Sequence, residues 1–196
     1  NSNCAPDCDC GRFLEVWNLV FMQFNRDSEG VQTNLPKPCI DTGMGLERIA
    51  AVVQGVNSNY QTDLFQSLIS EIQKLCDVPY DITNDKAPSF HVIADHLRSS
   101  SFMIADGILP GADGRSYVLR RILRRAMRHA RALGLEGASL FKLVSPLVEI
   151  MGDAHPTLRK NQTTIENGIR DEEQQFLRTL DNGIDHLTAA IAKMSG

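Results

Sequence analysis

Aromatic residues make up only 6% of the 196-residue chain, with one tryptophan, and the formal net charge is no more than −4. A weakly acidic chain is not a general polyanion binder, so any nucleic-acid surface has to be a local basic patch. No apolar run reaches the roughly 18 residues that a membrane-spanning helix needs. Five cysteines, an odd number in a chain this long, do not make a secreted disulfide framework, and a reducing cytoplasm is expected. Cys4, Cys8 and Cys10 lack the paired C-x2–4-C motifs of structural zinc. Free loop thiols are expected there, with a zinc site completed by Cys39 as the alternative. The opening NSNCAPDCDC has no initiator Met and no signal-peptide pattern, and the chain is expected to be a piece cut from something longer. The remainder is ordinary globular composition, 42% hydrophobic and 22% charged, enough for one large domain or two small ones.

The most informative stretch is residues 39–55, CIDTGMGLERIAAVVQG. A short apolar strand ends at Asp41, glycines follow at Gly43 and Gly45, and a helix carries Arg48 towards a stop at Gly55. Leu46, Ile49, Ala50 and Val53 form its expected apolar stripe. Gly43 and Gly45 let backbone approach a ligand without a Cβ in the way. Asp41 offers a carboxylate to an amine, and Arg48 a fork of donors to a polyphosphate. The same pattern also occurs as a plain tight turn before a helix. It is not a P-loop, because no Gly-Lys-Ser/Thr follows, and the third glycine of a dinucleotide fingerprint is missing.

Residues 12–25, RFLEVWNLVFMQFN, are apolar on both sides and β-branched or aromatic throughout, which predicts a long strand in a covered sheet. Alternation puts Asn18 on one face with Val16, Val20 and Met22. An amide in such a row needs a hydrogen-bond partner. Residues 27–38 read as a turn and a proline-flanked connector.

The string IDTGMGLERIAAVVQG, with its G-x-G-x-x-R core, resembles the third signature motif of class II aminoacyl-tRNA synthetases, and in detail the alanyl-tRNA synthetase family. EVWNLVFMQFNR resembles that family's strand lining the amino-acid pocket. The resemblance covers the chain beyond Gly11. It implies an α+β fold: the C-terminal part of an antiparallel catalytic sheet over residues 1–80, then a mostly helical tRNA-recognition domain over 81–196. It implies alanine binding by Asn18, Val20, Asp41 and Gly43, and ATP binding by Gly45 and Arg48. It further implies ATP as substrate with Mg2+, zinc mainly in an editing domain outside these residues, and alanine, ATP and a tRNA acceptor stem as partners. A homo-oligomer through regions C-terminal to this chain is allowed for, and no membrane is involved. The implied reaction is ATP-dependent activation of alanine and its transfer to the tRNA 3′ end. These residues alone, without the family's first two motifs, are expected not to form the adenylate.

Further along, residues 61–75 carry a helical stripe (Leu64, Phe65, Leu68, Ile69, Ile72, Leu75), and residues 76–88 read as a linker. Residues 91–106 form the next helix, with Ile93, Leu97, Ile104 and Ala105 buried. His91 and His96 are five apart, the wrong step for two ligands on one helix face, and are expected to pack or hydrogen-bond. Residues 117–133, YVLRRILRRAMRHARAL, place Arg120, Arg121, Arg124, Arg125, Arg128 and Arg131 within one arc of about 140°. Val118, Leu119, Ile122, Leu123, Ala126, Ala130 and Leu133 face the other way. From His91 to Arg131 there are eight arginines against three aspartates. Like charges at these spacings repel, so an unrelieved arginine row argues for an external phosphate backbone.

In the family the loop before this helix carries an Asn that reads a wobble pair. Here Ala112 stands in that place, which leaves Asp113 as the hydrogen-bonding side chain of the loop. The expected tRNA-binding residues are therefore Asp113, Arg120, Arg121, Arg124, Arg125 and Arg128. Residues 141–151 read as a short apolar helix. From Thr157 the pattern is helical to the end, with Asp171, Glu172 and Glu173 as a solvated acidic patch. A different class of reading, a non-catalytic RNA-binding helical module, keeps the arginine helix and makes the Asp41–Arg48 turn merely structural.

Overall fold

The computed structural model describes residues 5, 6, 8 and 12–194, and the fold is α+β, with one two-stranded antiparallel sheet among the described residues. Contacts cluster into two units, Asn1–Thr62 and Asp63–Gly196.

In the first unit, β1 (Trp17–Arg26) pairs antiparallel with β2 (Gln32–Met44), and α1 (Leu46–Gln54) follows at once. The hairpin turn is built on Asp27, whose Oδ1 accepts from the backbone N–H groups of Glu29 and Val31 at 3.0 and 2.9 Å. The expected connector over residues 27–38 is mostly strand instead. Met22 pairs with Cys39 and Phe24 with Asn34, so residues 35–38 bulge opposite Gln23 alone. Pro36 and Pro38, which have no N–H to give a ladder, fall in that bulge, where none is needed.

The sheet is not covered on either side within this unit: Trp17, Phe21 and Phe24 are all more than half exposed. The same correction applies to α1. Leu46 and Val53 of its expected stripe are exposed, and Ala51 is the buried residue. The helix does stop at Gly55, which takes a left-handed conformation and gives its N–H to Val52 O.

The second unit is helical throughout: α2 (Asp63–Cys76), α3 (Ala87–Ala105), α4 (Gly114–Ala132), α5 (Val144–Met151), α6 (Pro156–Lys160) and α7 (Gln162–Met194). Most of its core is the set that periodicity selects, while Leu64, Leu75, Ala105 and Ile122 of the expected set are only half-buried. Phe65, Leu68, Ile69 and Ile72 of α2 are buried, as are Ile93, Leu97 and Ile104 of α3 and Leu119, Leu123, Ala126 and Ala130 of α4. Each large aliphatic side chain buried this way contributes about 1.5–3 kcal/mol. α3 packs most extensively on α4, and α2 packs on α3 and α5. Val118 departs from its expected inward arc and is 52% exposed.

The acidic patch on α7 is a second departure. Glu172 and Glu173 are buried, not solvated. Each has a specific partner: Glu172 takes Arg124, and Glu173 accepts the Leu140 N–H at 3.1 Å on both oxygens. α7 runs unbroken through Gly168 and Gly183. Its seam is buried only at Ile165 and Ile169, while Leu187 and Ile191 are exposed.

Candidate functional site

Two separate sets of residues hold the expected chemistry, one in each unit. In the first, the strand register decides the geometry. Asn18 lies opposite Gly43, and Val20 opposite Asp41. Directly paired residues of an antiparallel ladder project to the same side. All four residues expected to bind alanine therefore share one face, and Met22 and Cys39 continue it. Trp17, Leu19, Phe21, Ile40, Thr42 and Met44 take the other face.

A Cβ added at Gly43 would stand 3.4 Å from Asn18 Oδ1, at van der Waals contact with the amide. The glycine thus leaves the backbone beside Asn18 open to close approach. Asn18 Nδ2 donates to Glu15 Oε1 at 3.0 Å, which supplies the partner that an amide in an apolar row needs. On the opposite face, Trp17 Nε1 donates to Thr42 Oγ1, and that hydroxyl donates to Asn18 O at 3.2 Å.

Arg48 lies one turn into α1. Its Nη1 donates to Glu15 O at 2.6 Å, and a Cβ at Gly45 would meet Arg48 Cγ and Cδ at 3.4 Å. Glu15 is the residue that reading the sequence left out. Its carboxylate holds Asn18 and its carbonyl holds Arg48, so it ties the expected amino-acid side of the site to the expected nucleotide side. The only signal for it was its place three residues before Asn18. The arrangement offers a carboxylate (Asp41) and an amide (Asn18) over one sheet face, with a tethered guanidinium at the strand–helix junction. Such a set can hold a small ammonium-bearing ligand and an anionic group together.

In the second unit, Asp113 immediately precedes α4, with an extended backbone and a side chain that makes no capping bond. Arg124 Nε donates to Glu172 Oε1 at 2.6 Å, and its guanidinium lies 5.4 Å from the Phe176 ring centroid. Arg131 is 3.7 Å from Asp181, an exposed and weak pair. Arg120 and Arg121 lie over the Tyr117 ring at 5.5 and 5.9 Å. Arg120, Arg121, Arg125 and Arg128 make no ion pair with an acid among the described residues. The basic row therefore survives as four guanidiniums outside any ion pair among the described residues, with Arg124 turned into the protein.

The histidines are hydrogen-bonded as expected. Tyr80 OH meets His91 Nε2 at 2.9 Å, His96 Nδ1 meets Asp95 Oδ2 at 3.0 Å, and Ser89 Oγ meets His129 Nδ1 at 3.0 Å. Burial lowers the pKa of His91. It also lowers that of His129, and Arg125, Arg128 and His96 push the same way. Asp95 is held below the usual carboxylate range, first by its hydrogen bond to His96 and then by neighbouring positive charge. Of the cysteine set, Cys4 and Cys10 lie outside the described residues, while Cys8 and Cys39 are free thiols. Among the described residues no three His, Cys, Asp or Glu side chains gather as metal ligands, and no helix is long and apolar enough to cross a membrane.

The sequence pattern described as tRNA synthetases class II (A) matches residues 1–196. Proteins named alanine–tRNA ligase are similar over nearly the whole chain. That of Legionella pneumophila (strain Lens) is 54% identical over 193 residues, covering 98% of this chain. That of Shewanella amazonensis is 50% identical over 192 residues, and that of Hyphomonas neptunium 53% over 191, covering 98% and 97% of this chain. The chain spans 22% of the length of each of these relatives.

Proposed function

The chain belongs to the class II (A) tRNA synthetases, and from that premise we propose that it is part of an alanyl-tRNA synthetase, an ATP-dependent ligase that activates alanine and transfers it to the 3′ end of its tRNA. In this reading residues 1–80 are the end of the catalytic domain and residues 81–196 the tRNA-recognition domain. The observation that carries the reading is the shared sheet face of Asn18, Val20, Asp41 and Gly43.

Asp41 takes the substrate ammonium. Asn18, oriented by Glu15, takes a second polar group of the amino acid. Val20 walls the pocket beside the side-chain methyl, and Gly43 keeps the substrate close to backbone. Arg48, held at Glu15 O, presents its remaining N–H donors to ATP next to Gly45. Catalysis on this plan is positioning and charge stabilisation at the phosphate. Mg2+ would arrive with ATP and share the phosphate charge, and no residue of this chain is assigned to it. Zinc belongs to the editing domain of the parent, outside these residues. The acceptor stem lies along α4, contacted by Asp113, Arg120, Arg121, Arg125 and Arg128. The parent works in the cytoplasm, and these residues alone do not form the adenylate.

Asp41→Ala in the full-length enzyme tests the assignment by alanine-dependent ATP–pyrophosphate exchange, with binding of an acceptor-stem RNA hairpin as the companion readout. Loss of a charged hydrogen bond to the ammonium, about 2–3 kcal/mol, lowers exchange by on the order of 100-fold and leaves RNA binding intact. Exchange that is unchanged would favour the non-catalytic RNA-binding module.

A further inference from the structure

We propose that the cleft between α3 and α4 seats one nucleotide unit of the bound RNA, with its phosphate between Arg121 and Arg125, its sugar and base face on Val118 and Ile122, and His96 as a third contact from the neighbouring helix. The proposal rests on the reading of α4 as an RNA surface and names where on that surface the RNA is gripped.

The cleft is lined by His96, Val118, Arg121, Ile122 and Arg125 and encloses about 290 Å³. That is the lower bound of small-ligand sites, roughly 300 Å³, which suits a unit of a polymer better than a large free ligand. The four α4 residues stand at i, i+3, i+4 and i+7, one continuous stripe of the helix. Val118 is more than half exposed and Ile122 half-buried. An apolar strip is thus left open between two guanidiniums that have no ion-pair partner among the described residues. A nucleotide presents the matching combination, an anion joined to a flat, weakly polar body, and Arg takes a phosphate with paired donors.

His96 adds what the arginines cannot. Its Nδ1 is 3.0 Å from Asp95 Oδ2. A carboxylate only accepts, so Nδ1 carries a proton and Nε2 is the ring nitrogen left for another partner. Guanidiniums only donate. The cleft therefore holds guanidinium donors for a phosphate and one imidazole nitrogen for a polar group of the nucleoside. Asp95 is the carboxylate beside His96. Its charge is felt by Arg98 and Arg125 as well as by His96, and its contribution is to fix the ring's tautomer.

The test is a titration of the full-length protein with an acceptor-stem RNA hairpin, and with its DNA counterpart, followed by fluorescence anisotropy at several salt concentrations. Val118→Glu places a negative charge on an exposed position without touching the core, and binding weakens at least tenfold. His96→Ala weakens binding about three- to tenfold. A loss confined to RNA assigns the Nε2 contact to a ribose hydroxyl, and a loss on both nucleic acids assigns it to a group that RNA and DNA share. Arg121→Ala and Arg125→Ala each flatten the salt dependence by about one unit. The cleft is overturned if Val118→Glu and His96→Ala both bind within twofold of wild type while Arg120→Ala and Arg128→Ala, outside the cleft, still weaken binding. A wild-type protein that binds no hairpin overturns the RNA-surface reading as well.

Discussion

Arg124 of α4 donates through Nε to Glu172 of α7 at 2.6 Å, and the acid end of that pair is 6% exposed. This ion pair with a buried acid thus draws on the very row of arginines that the charge pattern assigned to RNA. Five residues of that row remain outside the pair, and Arg124 fixes the helix that carries them.

Arg124→Ala is expected to destabilise the protein by on the order of 2–3 kcal/mol, because it leaves a buried carboxylate without its partner. Arg124→Met with Glu172→Leu removes both charges and recovers most of that loss. Urea denaturation of the two variants checks this. An Arg124→Ala protein as stable as wild type, with weakened RNA binding, would return Arg124 to the phosphate-contacting set.

Glu15→Ala removes the acceptor for Asn18 Nδ2 and keeps the carbonyl that holds Arg48. Glu15 and Asn18 are exposed, so stability changes by less than about 0.5 kcal/mol. In the full-length enzyme the KM for alanine rises about three- to tenfold and the KM for ATP stays within twofold. Glu15→Gln, which still offers an acceptor, restores much of the difference. Steady-state exchange kinetics separate the two constants, and equal rises in both would count against Glu15 acting through Asn18.

Glu173 gives a pH dependence with a definite sign. Burial raises its pKa above the ordinary carboxylate value, against the lowering pull of the backbone N–H groups of Ser139, Leu140 and Phe141. The folded state then binds more protons than the unfolded state between the two pKa values. Its contribution to stability is complete below the unfolded pKa and declines as pH rises through the raised one. Glu173→Gln, which keeps an oxygen for the Leu140 N–H, removes that decline. Thermal melts from pH 4 upward should show wild type losing ground to the variant, and parallel curves would rule the effect out.

Gly111 is fixed by contact. A Cβ there would lie 2.7 Å from Ser116 Cβ, and the Gly111 N–H bonds to Ser116 O at 3.1 Å. Gly111→Ala forces the loop ahead of α4 to move and costs about 1–3 kcal/mol. Circular-dichroism melts report the loss, and RNA affinity falls with it because Asp113 and the start of α4 shift together. An unchanged melt would mean that the loop yields without cost.

Much of this molecule was legible in one dimension. The stripe from Phe65 to Ile72 and the buried set Ile93, Leu97, Leu119 and Leu123 follow from helical spacing, because burying one apolar face decides which residues point inward. Asn18 and Val20 fell on one face by strand alternation alone. What could not be read was pairing across the chain. Periodicity says that Glu172 and Glu173 lie on a helix, but only the approach of α4 and of the turn at Leu140 makes them interior. Pro36 and Pro38 looked like a connector because their tolerance in a strand depends on a bulge, which is a property of two strands.

The order of residues by itself determined the helices, the strand–glycine–helix turn and the one-sided basic row, since each follows from local sterics and spacing. Tertiary structure decided that Asp41 and Gly43 lie across from Val20 and Asn18, and that Arg124 serves the fold while Arg121 and Arg125 border a cleft with His96. The physical reason is that a charge or an amide takes its role from what stands within about 3 Å of it, and for Arg124 that neighbour is 48 positions away.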